Sequence, residues 1–190
     1  MKFKITLKID RKYGDLLPFN YQYEQSAVIY RILAQADTQY SSWLHENGYL
    51  LNERKRFKLF CYSPFIFEKV RPLPEAGCLK IIGERAVWYI SFIPEKSTLE
   101  FIQGIFAHQS FSIGNKKYQV AFDVVGVEAI PMPQLSEEMT FVALSPICVK
   151  LHEDNKTQYL SPDNPMFAEG VLKGLKARYE SIHGQPFDMN

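Results

Sequence analysis

His45 is the last residue but one of the segment Gln39-Tyr40-Ser41-Ser42-Trp43-Leu44-His45-Glu46, with Tyr30 fifteen residues before it and Lys58 thirteen after it. An imidazole, a phenol and an ammonium group are enough to cleave a ribose–phosphate chain without a metal. RNA carries its own nucleophile, the 2′-hydroxyl, which must lose a proton as the 5′-oxygen gains one. An imidazole, with an ordinary pKa of about 6.5, moves protons at neutral pH. A lysine offsets the charge that builds at phosphorus, and a tyrosine hydroxyl positions or donates. Each residue also has an ordinary structural role open to it. A histidine near a helix C-terminus interacts favourably with the helix dipole. Lys58 alternates with Phe57 and Leu59, as on the wet face of a strand, and Tyr30 suits a core aromatic whose hydroxyl reaches the rim.

The elements that must position these groups are readable from hydrophobic period. Phe3, Ile5, Leu7 and Ile9 alternate with Lys2, Lys4, Thr6 and Lys8, which predicts a strand with one buried face. Val28, Ile29, Ile32, Leu33 and Ala36 recur at helical spacing within 21–36, with Tyr30 at the edge of the stripe. Asp37 is the expected cap of a shorter helix, 38–46, which Gly48 stops. Residues 57–62 read as the second strand, 86–93 as the third, 96–107 as a helix and 118–128 as the fourth strand. The order is βαββαβ, the split βαβ pattern of a ferredoxin-like α+β domain, and Pro131-Met132-Pro133 marks its end. Beyond it, 147–151 and 157–160 pair as a hairpin. A helix then follows a cap at Asp163 or Asn164, with Pro165 in its first turn and Phe167, Val171, Leu175, Tyr179 and Ile182 on one face. Gly184 and Pro186 end it. A second unit of the same kind needs further strands, so it reads as incomplete.

The 190 residues are 46% hydrophobic, enough for one large core or two small ones. Residues 1–71 hold 12 Lys/Arg against 7 Asp/Glu, and residues 72–190 hold 10 against 14. A polyanion therefore meets the first third, where Arg54-Lys55-Arg56 is the densest basic run. That run also suits a solvated loop. Cys61, Cys78 and Cys148 form no paired spacing, which suggests neither disulfides nor zinc and fits a reducing cytoplasm. No HExxH, P-loop, GxGxxG or GxSxG occurs, so no cofactor or metal is expected. Glu137-Glu138 and Glu153-Asp154 read as solvated loop pairs. No apolar run reaches membrane-spanning length.

Four stretches carry a resemblance in order along the chain. They are Leu17-Pro18-Phe19-Asn20-Tyr21-Gln22-Tyr23 with Ala27-Val28-Ile29-Tyr30, then Trp43-Leu44-His45-Glu46, then Phe57-Lys58-Leu59-Phe60-Cys61-Tyr62-Ser63, and finally Phe141-Val142-Ala143-Leu144-Ser145-Pro146-Ile147. Together they resemble the CRISPR-associated repeat-RNA-processing endoribonucleases (the Cas-six family). The resemblance implies tandem ferredoxin-like (RRM-like) domains, here 1–133 and an incomplete 134–190. It also implies metal-independent cleavage of CRISPR repeat transcripts, leaving a 2′,3′-cyclic phosphate and a 5′-hydroxyl. A Tyr-His-Lys triad in that family matches Tyr30, His45 and Lys58. His45 is then the general acid or base, Tyr30 its partner in positioning and proton transfer, and Lys58 the electrostatic stabiliser. Arg54, Lys55 and Arg56 are the expected RNA contacts. The family's C-terminal glycine-rich loop has no counterpart before Asn190, since Gly170, Gly174 and Gly184 are scattered.

The expected partners are CRISPR repeat RNA and other CRISPR effector subunits, with the chain cytoplasmic and a monomer or homodimer. Two alternatives stand beside the nuclease: a non-catalytic CRISPR RNA-binding subunit on the same fold, and a ferredoxin-like protein-interaction module.

Overall fold

A computed structural model describes residues 1–53, 55–153 and 156–187. In chain order the strands are β1 (Lys2–Asp10), β2 (Leu16–Pro18), β3 (Tyr49–Asn52), β4 (Lys55–Phe57), β5 (Phe60–Tyr62), β6 (Ile66–Phe67), β7 (Val70–Leu73), β8 (Cys78–Ile81), β9 (Arg85–Phe92), β10 (Ser110–Gly114), β11 (Gln119–Ile130), β12 (Lys150–Glu153) and β13 (Lys156–Tyr159). The α-helices are α1 (Gln22–Ala36), α2 (Thr38–Glu46), α3 (Glu95–Ala107) and α4 (Pro165–His183). The protein is α+β, and its sheets are antiparallel. Its residues group into two units, Met1–His45 with Phe60–Met139, and Glu46–Leu59 with Thr140–Asn190.

In the first unit β1 runs between β9 and β11, and the sheet order is β10-β11-β1-β9-β5, with β6 also on β9. The alternation in β1 does what its period demands: Phe3, Ile5, Leu7 and Ile9 are buried. Trp88 and Phe92 from β9 meet Phe101 of α3, with ring centroids 6.4 and 4.9 Å apart, so α3 lies on the buried face. α1 packs on α3 at Gly104, where a Cβ would collide with the backbone carbonyl of Ile32. Backbone cannot rotate away as a side chain can. For Gly104→Ala we therefore expect an overpacking cost of about 3 kcal/mol against about 1 kcal/mol of gained helix propensity, a net loss near 2 kcal/mol. The check is a urea-unfolding midpoint that falls while the slope stays constant.

The expected second strand over 57–62 is two strands. Lys55–Phe57 forms a hairpin with β3, whereas Phe60–Tyr62 joins β9. Between them Leu59 adopts a left-handed φ of 56°, which no strand can carry. A small sheet of order β2-β8-β7 also lies outside the sequence reading. Its strands are short and carry prolines, which weigh against strand in a local reading, yet Pro72 pairs with Leu79.

The single expected cut between 1–133 and 134–190 differs from the observed grouping, which assigns the β3–β4 hairpin to the unit of the C-terminal segment. Inside that unit β3 packs on α4, and the Arg178 guanidinium lies 5.1 Å from the centre of the Phe57 ring. The expected C-terminal hairpin forms, pairing Lys150 with Tyr159 and Leu151 with Gln158; its first strand starts three residues later than the apolar run suggests and its second one residue earlier. Helix α4 is capped as its sequence indicates: Asn164 Oδ1 accepts from the Met166 N–H at 2.9 Å, Pro165 opens the first turn, and Gly184 closes the last at φ 65°. Its packed face keeps part of the expected one, since Phe167, Val171 and Tyr179 are half-buried. Leu175 and Ile182 are 59% and 37% exposed, and Ala177 is the buried residue. Gly170 lies so close to Val149 that a Cβ would strike its side chain. Small residues allow that approach, and Leu175 and Ile182 are left outward. Among the described residues, no helix is long and apolar enough to cross a membrane.

Candidate active site

Tyr30 sits in the third turn of α1, on the half-buried edge beside Ile29 and Leu33. α2 follows after the single residue Asp37. That residue closes α1 through its N–H to the Leu33 carbonyl at 2.9 Å and opens α2 by accepting from the Tyr40 N–H at 2.8 Å. Its carboxyl is held below the usual carboxylate range, first by that N–H and then by the Lys96 ammonium, 3.3 Å away. The short helix is anchored from two directions. Ser41 donates to the Tyr30 carbonyl at 2.8 Å, and the Tyr40 hydroxyl meets Ser97 of α3. With Tyr40, Ser41 and Leu44 buried, His45 is left exposed in the last turn of α2, where a cationic imidazole complements the dipole.

The outcome is a ring contact. The Tyr30 and His45 centroids are 4.9 Å apart with their planes at 84°. Phe60 of β5 supports Tyr30 from another side, 5.7 Å away at 75°. Burial, and then the nearby Tyr62 phenol, push the Tyr30 hydroxyl up from its ordinary value. It is therefore a proton-bearing donor throughout the neutral range. A protonated phenol against an imidazole can orient that ring or pass a proton through it, which is what proton transfer to or from an RNA backbone requires.

Lys58 belongs to the second unit, at the end of the β3–β4 hairpin. Gly48, at φ +69°, makes its placement possible: a Cβ there would sit 2.7 Å from the Phe57 carbonyl, 3.1 Å from Lys58 Cδ and 3.4 Å from its Nζ. Burial, and then the charge of Arg56, push the Lys58 amine down. Arg56 donates to the Glu46 carbonyl and to Asn47 Oδ1, both at 3.4 Å, and its side chain and that of Lys55 are exposed. Arg54 lies outside the described residues. The structure thus brings Tyr30 and His45 together in one unit, and groups Lys58, Lys55 and Arg56 in the other. Sequence reasoning missed Phe60, Tyr62, Ser41 and Gly48. The signal for the first two is their alternation about Cys61, beginning two residues after Lys58, inside the stretch 57–63 that carries the family resemblance. Among the described residues, no three His, Cys, Asp or Glu side chains gather as a metal site.

Comparison with known proteins identifies the family of the chain. Residues 16–122 match the family described as CRISPR-associated protein Cas6, N-terminal, and residues 130–190 match CRISPR associated protein Cas6, C-terminal. The chain belongs to the Cas6 family. A curated relative, CRISPR-associated endoribonuclease Cas6 1 of Methanocaldococcus jannaschii, is 28% identical across 98% of this chain and 69% of its own length. The solved structure described as "Characterization of a Cas6-related gene from Pyrococcus furiosus" superposes with a TM-score of 0.80 at 25% identity, over 99% of this chain and 73% of the other. Another, "An RAMP protein binding different RNA substrates", has a TM-score of 0.76 at 25% identity, over 98% and 73% of the two chains.

Proposed function

We propose that the protein is a metal-independent endoribonuclease that cuts CRISPR repeat transcripts into guide RNAs. The observation that carries this reading is the Tyr30–His45 ring contact in a chain of the Cas6 family. The curated M. jannaschii relative bears an endoribonuclease name, which supports the same reaction class. In the reaction the 2′-oxygen bonds to phosphorus and gives up its proton to a base. The phosphorus–O5′ bond breaks as O5′ takes a proton from an acid, which leaves a 2′,3′-cyclic phosphate and a 5′-hydroxyl. His45 is the general acid or base, and Tyr30 orients it and shares its proton transfer. Lys58 offsets the negative charge that develops on the phosphoryl oxygens. Lys55 and Arg56, with Arg54, hold flanking phosphates.

The architecture assigned with this reading is tandem and ferredoxin-like. For the first unit it rests on the β11-β1-β9-β5 strand order with α1 and α3. For the second it rests on the β12–β13 hairpin followed by α4. The working partners are repeat RNA and other CRISPR effector subunits, in the cytoplasm, with the chain a monomer or homodimer.

End-labelled repeat RNA in excess EDTA tests the reading. The expected result is one discrete cut whose 5′ product ends in a cyclic phosphate. RNA bound without product sinks the nuclease and leaves a non-catalytic RNA-binding subunit. Cleavage abolished by EDTA and restored by a divalent cation overturns the metal-free mechanism. Absence of RNA binding, together with a stable protein partner, favours an interaction module.

A further inference from the structure

The aromatic side chains do not stop at Tyr30. Phe60 follows it, and Tyr62, two residues further along β5, stacks on Phe60 with centroids 6.3 Å apart and planes at 28°. The row therefore runs Tyr62, Phe60, Tyr30, His45. Phe60 and Tyr62 pair in register with Phe92 and Ile90, which are buried. β5, however, is the last strand at its end of the sheet, so its two rings are half-buried at a margin rather than enclosed. The Tyr62 hydroxyl donates to the carbonyl of Gln22, the first residue of α1, at 3.1 Å, which fixes the orientation of the ring. On α1 itself Tyr23, Ala27 and Tyr30 share one strip at i, i+4 and i+7. Tyr23 is 83% exposed, and Ala27 presents only a methyl group between the two phenols.

Neither Phe60 nor Tyr62 is used in the proton transfers, yet together they present fixed, uncharged ring surface that leads to the imidazole. We infer that Tyr62, backed by Phe60, is a stacking platform for an unpaired nucleobase beside the scissile phosphate. This rests on the reading of the site as an RNA-cleaving one. A paired base would keep its faces inside a duplex, so the ligand is single-stranded RNA at this point. Stacking tolerates any base, because every base has a π-face. Sequence preference must then come from other contacts.

The test uses repeat RNA carrying 2-aminopurine at each position in turn, with 2′-deoxy substitution along the repeat to prevent cleavage. Cleavage of the all-ribose RNA is measured in parallel. Wild-type protein is expected to quench 2-aminopurine at one position next to the cut. Tyr62→Leu is expected to lose that quenching and bind about tenfold more weakly, and Tyr62→Phe, which keeps the ring, to recover most of both. Matched thermal melts for the three proteins show that the fold is intact. Equal binding and quenching by Tyr62→Leu overturns the platform. Loss in Tyr62→Phe as deep as in Tyr62→Leu also overturns it, since the hydroxyl bond to α1 would then be the whole contribution. Tyr62-dependent quenching without any cleavage keeps the platform and removes the nuclease. Cleavage with Tyr62-independent binding does the reverse, and no RNA binding by the wild type removes both.

Discussion

His45→Ala is expected to lower single-turnover cleavage of repeat RNA about a thousandfold, within the range contributed by a positioned acid or base, while binding stays within a few-fold. The split follows from how the imidazole is held. His45 is exposed at the end of α2, and the helix is fixed by Tyr40, Ser41 and Leu44, which are buried. Removing the ring therefore takes away a proton carrier without disturbing the packing that places it. The Tyr30 hydroxyl, pushed up by burial and by Tyr62, remains protonated, but a phenol that holds its proton so firmly is a poor base at neutral pH. It cannot stand in for the missing imidazole. A tenfold or smaller loss in His45→Ala would reduce His45 to a helix-end residue favoured by the dipole. A collapse of binding in parallel would assign it to substrate grip rather than chemistry.

Lys58→Ala is expected to cost about a hundredfold in the same rate, the usual scale for removing one preorganised electrostatic stabiliser. Lys58→Arg separates charge from mere volume. Burial and Arg56 push the Lys58 amine down, so on the proposed role the wild-type protein is expected to lose its ammonium, and with it cleavage, at a lower pH than an ordinary lysine allows. A guanidinium stays charged beyond any accessible pH. The alkaline limb of the pH–rate profile should therefore move upward in Lys58→Arg, even if its peak rate is lower. Rates are taken above the background hydrolysis of RNA at each pH. An unchanged alkaline limb means that Lys58 does not set it, and an unaffected Lys58→Ala removes the residue from the chemistry.

Much of the frame that carries these groups is legible in the sequence, because its buried positions obey one period at a time. β1 alternates cleanly, α1 and α3 show helical stripes, and Asp37 and Asn164 cap the helices their positions announce. The failures have local causes. Leu59 takes a left-handed φ without being glycine, and so splits an apolar run that reads as one strand. The β2-β8-β7 sheet is built from short strands and prolines, which weigh against strand in any local reading. In α4 the close approach at Gly170 outweighs the larger side chains of Leu175 and Ile182. At the site, the residue types of Tyr30, His45 and Lys58 allow the chemistry but equally suit ordinary roles. Family resemblance, not spacing, singles them out. The contact between the Tyr30 and His45 rings depends on how two helices meet, and the Phe60–Tyr62 margin depends on which strand ends the sheet. Neither is encoded in a local pattern.

The junction of α1 and α2 has a consequence for how this protein can vary. Because Asp37 alone separates the two helices, no slack exists to absorb a change in length. One inserted or deleted residue there would turn every later position of α2 by about 100° around its axis. The imidazole would swing off the phenol while Leu44 and Tyr40 left their buried places. The turn around Asn115 and Lys117, by contrast, joins β10 to β11 at an exposed tip, where extra residues cost little. Length variants that keep the Tyr30–His45 contact should therefore be found at such tips and not at position 37.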